Sequence, residues 1–159
     1  MNVHFLSKKH DWATPWPLFR ELDARFGPCK LDVCATARNA KCGNFFSPED
    51  DGLRQVWHGV CWMNPPYGRA LPHWLAKAVN EIEIERAERV ICLLPAQTDT
   101  AWWHRYVLPF AAEIHYLRGR IRFEGAGSSA PFPSAVVIFE KRHDSTEALG
   151  LPVETETCP

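Results

Sequence analysis

A chain of 159 residues that is 46% hydrophobic is long and apolar enough for one domain with a real core, which excludes a disordered protein. Its formal net charge of −1 removes any global electrostatic case for a polyanionic partner, so such a partner must be held by a local patch. No apolar run approaches the ~18 residues of a membrane span and no signal-peptide pattern opens the chain, so a cytoplasmic protein without membrane contact is expected.

Cys29, Cys34, Cys42, Cys61, Cys92 and Cys158 show no paired C-x-x-C spacing. They read as free thiols, largely buried, rather than as zinc ligands.

Residues 1–10 are polar and read as an N-terminal arm. The organised chain begins with Asp11-Trp12-Ala13-Thr14-Pro15-Trp16-Pro17. Its two prolines argue against a helix before residue 17. From there Leu18, Phe19, Leu22 and Phe26 recur at helical spacing, until Gly27-Pro28 stops the helix. At this point Thr14 reads as a helix cap.

Leu31-Asp32-Val33-Cys34-Ala35 reads as a strand. An acid within an apolar strand needs a reason, because burying it unpaired is costly. It either pairs with a neighbouring arginine or amide, or meets ligand hydroxyls or an ammonium at a strand's carboxyl end. No G-x-G-x-x-G is present, which disfavours ordinary dinucleotide binding. Residues 36–56 are irregular, with a possible short strand at Asn44-Phe45-Phe46 and a turn at Asp50-Asp51-Gly52. Only about 30 residues separate Asp32 from Asn64, so this half of an α/β sheet is expected to be abbreviated.

Val60 to Met63 is an apolar run that stops at Asn64-Pro65-Pro66-Tyr67-Gly68. The prolines cannot donate to a sheet ladder, and they strip the turn of amide donors. The Asn64 side-chain oxygen and the Pro65 carbonyl remain as acceptors beside the Tyr67 ring. Such a turn suits a planar group bearing an NH2, with both N–H bonds accepted and the ring stacked. A proline-rich turn with a packed tyrosine is the plainer alternative.

Leu71, Trp74, Leu75, Ala78, Val79 and Ile82 then trace one helix face, with Pro72 tolerable in the first turn. Glu81, Glu83, Glu85, Arg86, Glu88 and Arg89 read as its solvated end. Val90 to Leu94 reads as a parallel strand covered on both faces. A helix follows over 100–108, whose Trp102, Trp103 and Tyr106 read as core packing, with a binding wall as the alternative. Strands are expected over 113–123 and 134–140, joined by the flexible Gly/Ser/Pro loop 124–133; the polar tail 143–159 carries no periodicity. Within the first of these strands Arg118, Arg120 and Arg122 alternate, which puts them on one face. That face is either simply solvated or a phosphate-binding stripe.

Taken in order, Asp11-Trp12-Ala13-Thr14-Pro15, Leu31-Asp32-Val33-Cys34-Ala35, Asn39-Ala40-Lys41-Cys42, Glu49-Asp50-Asp51-Gly52-Leu53, Asn64-Pro65-Pro66-Tyr67-Gly68-Arg69, Leu94-Pro95-Ala96-Gln97-Thr98-Asp99-Thr100 and Ala130-Pro131-Phe132-Pro133-Ser134 resemble the phage-type, Dam-like DNA N6-adenine methyltransferases. The resemblance covers residues 11–142. It implies an α/β, Rossmann-like methyltransferase sheet, S-adenosylmethionine as donor and the exocyclic amine of adenine in double-stranded DNA as acceptor. It carries Asn64, Pro65, Pro66 and Tyr67 over as the catalytic turn. Thr14, Pro15, Asp32, Ala35 and Asp51 carry over to the cofactor side, and Arg69, Arg118, Arg120 and Arg122 are the DNA-contact candidates. No metal is required in this scheme.

The chain departs from the family in lacking a glycine-rich first cofactor motif, replaced by Val33-Cys34-Ala35-Thr36, and in lacking room for a large target-recognition domain. Two rival functions stand beside this one: N-methylation of another planar nitrogen, in protein or RNA, and a non-catalytic DNA-binding protein on the same fold.

Overall fold

The structure, a computed structural model, describes residues 12–142. The arm expected over 1–10 and the tail expected over 143–159 lie outside the described residues.

Six strands among the described residues form one sheet in the order β2-β1-β3-β4-β6-β5. They are β1 (Leu31–Asp32), β2 (Asn44–Phe45), β3 (Gly59–Met63), β4 (Ala87–Pro95), β5 (Glu113–Tyr116) and β6 (Ser134–Glu140). β2, β1, β3 and β4 run parallel, whereas β6 is antiparallel to both of its neighbours. Helix α1 (Trp16–Phe26) packs on one face of the sheet. Helix α2 (Leu71–Glu83) and the π-helical turn Trp103–Val107, continued by α3 (Leu108–Phe110), pack on the other.

The central strands read as unbroken apolar runs because both faces are covered. Cys61 and Met63, Val90, Cys92 and Leu94, and Ala135, Val137 and Phe139 point to the α2 side. Trp62, Ile91 and Leu93, and Val136 and Ile138 point to the α1 side, onto Phe19, Leu22 and Phe26. The Val, Leu, Ile, Met and Phe side chains among them contribute about 1.5–3 kcal/mol each on full burial, so the two layers together fix the sheet register. The abbreviated half is visible in β1 and β2, two residues each. Among the described residues no helix is long and apolar enough to cross a membrane.

Five local expectations are corrected. Helix α1 starts at Trp16, since Pro17 sits in its first turn where its missing N–H costs nothing. The strand expected over 31–35 is regular only over Leu31–Asp32; the chain bends at 33–34, with single bonds from the Val33 amide to the Trp62 carbonyl and from the Ala35 amide to the Phe46 carbonyl. Glu81 is not solvated: it falls on the same helical stripe as Trp74 and Ala78 and is fully buried. Arg89 belongs to β4 rather than to a solvated helix end. Its guanidinium holds Glu140 at 2.6 Å and the Phe26 carbonyl, at the end of α1, at 2.7 Å.

The fifth correction concerns Arg118, Arg120 and Arg122, which lie on an exposed loop and not on a strand. β5 ends at Tyr116 because its partner β6 begins only at Ser134, paired through Tyr116 and Ala135. The residues before Ser134 include Pro131 and Pro133, which have no N–H to offer a ladder. Gly119, at φ +76°, then turns the chain away.

Candidate active site

The carboxyl ends of β1, β3 and β4 share one edge of the sheet. The strand order reverses between β1 and β3, with β2 on one side and β4 on the other. Such a switch point opens a crevice where open α/β sheets bind ligands. Asp32 closes β1, and Asn64 follows β3. The two strand ends are tied together, since Cys34 Sγ donates to the Asn64 backbone carbonyl at 3.2 Å.

The Asn64 side chain has one defined orientation. Its Nδ2 donates to the Trp12 carbonyl and to Thr14 Oγ1, the latter at 2.9 Å. A carbonyl can only accept, so the nitrogen and not the oxygen must face Trp12. Oδ1 is thereby turned the other way. It is buried and lacks a hydrogen-bond partner among the described residues. An unmet buried acceptor costs about 1–3 kcal/mol, which a donor from a ligand or a water molecule would relieve.

On the β1 side, Asp32 is buried at 3% exposure and accepts from the Lys41 amide at 3.0 Å and the Cys34 amide at 3.4 Å. The loop that returns Lys41 to Asp32 is closed by Asn39, whose Oδ1 accepts from the Thr36 amide at 2.7 Å. Burial pushes the Asp32 carboxyl up to about 7, against the opposing pull of the two amides and the Lys41 charge. A carboxyl in that state is well placed to meet a cationic or hydroxyl-bearing ligand. Asp51 stands half-buried nearby, with φ +55°, directly before the 3-10 turn Gly52–Arg54. Gly52 is pressed on the end of β1: a Cβ there would sit 2.1 Å from the Val33 carbonyl oxygen.

A cleft of about 690 Å³ opens beside the turn, within the range of small-molecule sites. Trp12, Tyr67, Gly68, Pro95, Gln97, Pro131, Phe132 and residues 124–129 line it. Tyr67 is buried, its ring edge-on to Phe132 with centroids 5.6 Å apart, and its hydroxyl donates to the Leu93 carbonyl at 3.2 Å. Burial pushes the phenol well above its usual range, so it remains a neutral donor. Trp12 packs on Phe123 and Phe132 at 5.2 and 5.5 Å. Asn64 is not among the lining residues and its Oδ1 is buried, so a ligand amine reaches that oxygen only after a local rearrangement of the cleft wall.

The model of the family described as DNA N-6-adenine-methyltransferase (Dam) matches residues 4–149. The chain belongs to this family. It is 34% identical over 119 residues to a DNA N-6-adenine-methyltransferase of Haemophilus phage HP1, a match covering 74% of this chain and 68% of the phage protein. It is 35% identical over 94 residues to the enzyme of the same name from Escherichia phage T1, covering 58% of this chain and 38% of that one. A DNA adenine methyltransferase of phage type therefore accounts for the α/β sheet and for the polar turn at its switch point.

Within this methyltransferase the fold brings together most residues singled out from the sequence. Thr14 is buried and does not cap α1, whose N-terminal Pro15 lacks a side-chain cap; its hydroxyl serves Asn64 instead. Ala35 follows β1 with its amide bonded to the Phe46 carbonyl at 3.0 Å, and Pro15, directly after Thr14, stands at the N-cap of α1. Pro65 is buried, Pro66 half-buried, and Arg69 is exposed immediately after Gly68 of the cleft. Arg118, Arg120 and Arg122 stay at the surface, and Arg122 Nη2 reaches the carbonyl of Gly127, a lining residue, at 3.5 Å.

Trp12, Lys41, Gln97, Glu124 and Phe132 carry no role that is visible in the sequence alone. Lys41 is buried, its ammonium 4.1 Å from the Trp16 ring centroid and 3.5 Å from Glu124 Oε2. All but Glu124 lie inside strings that carry the family resemblance. An aromatic two residues before Thr14 and another between two prolines were the available signals.

Proposed function

We propose that this enzyme methylates the N6 amine of a flipped-out adenine in double-stranded DNA, with S-adenosylmethionine as the methyl donor. The observation that carries the reading is the oriented, unpartnered Oδ1 of Asn64 at the carboxyl end of β3.

The acceptor amine is a weak nucleophile because its lone pair is delocalised into the purine ring. Asn64 Oδ1 and the Pro65 carbonyl accept its two N–H bonds and bias the nitrogen toward a tetrahedral shape. That localises the lone pair for in-line attack. Taking the adenine out of the duplex costs a few kcal/mol, and stacking on Tyr67 and Phe132 returns about 1–3 kcal/mol. The hydrogen bond from Tyr67 to Leu93 ties the tip of the ring to β4 and is not itself needed for stacking.

The donor set on the β1 side fits S-adenosylmethionine, which carries an ammonium, a sulfonium, ribose hydroxyls and an adenine amine. In this reading Asp32 and Asp51 are the acceptors for these groups, with Thr14, Pro15 and Ala35 on the donor's side of the site; the burial of Asp32 and the half-buried Asp51 support it. When bound, S-adenosylmethionine supplies an electrophilic methyl. Asp32, at about 7, takes up positive or hydroxyl donors by giving up its proton. DNA is held at the rim by Arg69, Arg118, Arg120 and Arg122, all exposed.

Neither a protein or RNA acceptor nor a non-catalytic role is favoured by the family match. The test is incubation of unmethylated genomic DNA with the protein and labelled S-adenosylmethionine, followed by nucleoside analysis. N6-methyladenine is expected; label in cytosine, or in none of the bases, would reject the reading.

A further inference from the structure

We infer that Thr14 is a positioning residue for the methyl-transfer step, acting on Asn64 and not on the donor. The inference rests on Asn64 being the acceptor for the substrate amine, as proposed above.

A primary carboxamide can sit in two orientations that differ only by exchange of its oxygen and nitrogen. In one, Asn64 shows Oδ1 to the substrate and can accept an N–H. In the other it shows an NH2 to another NH2 and repels it. The protein fixes the first by placing acceptors on the nitrogen side of the group, although Oδ1 itself stays buried until the cleft wall rearranges. The Trp12 carbonyl takes one N–H, and Thr14 Oγ1 takes the other at 2.9 Å. With both N–H bonds taken, the amide has no remaining freedom to rock or flip. Thr14 is 2% exposed, so water does not substitute for its hydroxyl.

The segment that supplies these acceptors is itself held in place. Ala13 bridges antiparallel to Glu124, whose amide donates to the Ala13 carbonyl at 2.9 Å. Glu124 Oε1 also accepts from the Trp16 amide at 3.3 Å. Asn64 is therefore aligned from a segment fastened to the loop that walls the cleft. Local sequence does not require this arrangement, since α1 begins without a side-chain cap from Thr14.

The experiment compares Thr14→Val, Thr14→Ser, Asn64→Ala and the Thr14→Val/Asn64→Ala double variant, all full length. Single-turnover methylation of unmethylated genomic DNA and equilibrium binding of S-adenosylmethionine are measured for each. Thr14→Val, which swaps the hydroxyl for a methyl, is expected to slow transfer roughly 10- to 100-fold, the scale of a small misplacement of a reacting group. Donor affinity should hold, Thr14→Ser should restore the rate, and Thr14→Val should add no further loss to Asn64→Ala.

A wild-type rate in Thr14→Val, the same loss in both backgrounds, no rescue by serine, or a loss matched by weaker donor binding each overturns the inference. A wild-type rate in Asn64→Ala instead rejects the underlying reading of the turn, so the two failures are separable. Should Thr14→Val not fold, nitrogen-15 spectra of the unaltered protein decide. Both Asn64 carboxamide protons should exchange slowly with solvent, and rapid exchange of the pair contradicts the inference.

Discussion

Glu81 accepts a hydrogen bond from the backbone amide of Trp57 at 3.2 Å, joining α2 to the segment that leads into β3. Lys77 Nζ lies 2.5 Å from the same carboxylate, and Arg86 Nη1 lies 3.7 Å away. Trp57 Nε1 in turn donates to the Gly52 carbonyl at 2.8 Å. A buried acid thus sets the path of the chain past Asp51 and Gly52. Removing the carboxylate leaves the buried Trp57 amide unmet, which costs about 1–3 kcal/mol, while Lys77 and Arg86 are partly solvated and add little. Glu81→Ala should lose stability of that order in urea unfolding, with Glu81→Gln less affected. A midpoint at the wild-type value would show that the carboxylate is dispensable.

Asp32 predicts a pH dependence with a definite sign. Its carboxyl is raised from 3.8 to about 7 by burial, so between these values the folded protein keeps a proton that the unfolded chain has released. This group therefore lowers stability as pH rises from about 4 to 7. Donor binding runs the other way. Ligand cations and hydroxyls favour the carboxylate, so affinity for S-adenosylmethionine should increase as pH rises toward 7. Asp32→Asn should bind more weakly, by about 1.5–3 kcal/mol, and lose the slope. Titration calorimetry across this range is the check, and a flat wild-type profile would count against Asp32 as a ligand group.

Much of the site is legible in the sequence because its constraints are local. Two prolines after an apolar run stop a strand wherever they occur, and the stripe from Leu71 to Ile82 specifies one buried helix face. What escaped depends on distant partners. Thr14 looks like a cap until Asn64, 50 residues away, arrives beside it. Glu81 reads as solvated by its charge, although its helical position is a core position. The alternation of Arg118, Arg120 and Arg122 imitates a strand, but a strand needs a partner, and β6 offers none beyond Ser134.

The two functions assigned to Tyr67 are separable. Tyr67→Phe keeps the ring and loses the hydrogen bond to Leu93, a change worth about 1 kcal/mol of stability. Methylation should remain near wild type. Tyr67→Ala removes the stacking surface and should weaken productive binding of the base by about 1–3 kcal/mol. Equal rates for the phenylalanine and alanine variants would show that the ring does not meet the base.

Arg120 tests the DNA rim, because it is exposed and, unlike Arg122, is not bonded to the cleft loop through Gly127. Arg120→Gln should weaken DNA binding for all sequences alike and flatten the dependence of log affinity on log salt by about 0.9, leaving donor affinity alone. An unchanged salt slope would place the DNA elsewhere on the surface.

The central claim is that the oriented Oδ1 of Asn64 receives the substrate amine. Its most direct test is the methylation rate of Asn64→Ala on DNA, measured beside donor binding by the same protein. The rate should fall by a factor of about 10² or more, as for loss of one preorganised polar group, while S-adenosylmethionine still binds. Methylation at the wild-type rate would contradict the claim and leave the turn as a purely structural feature.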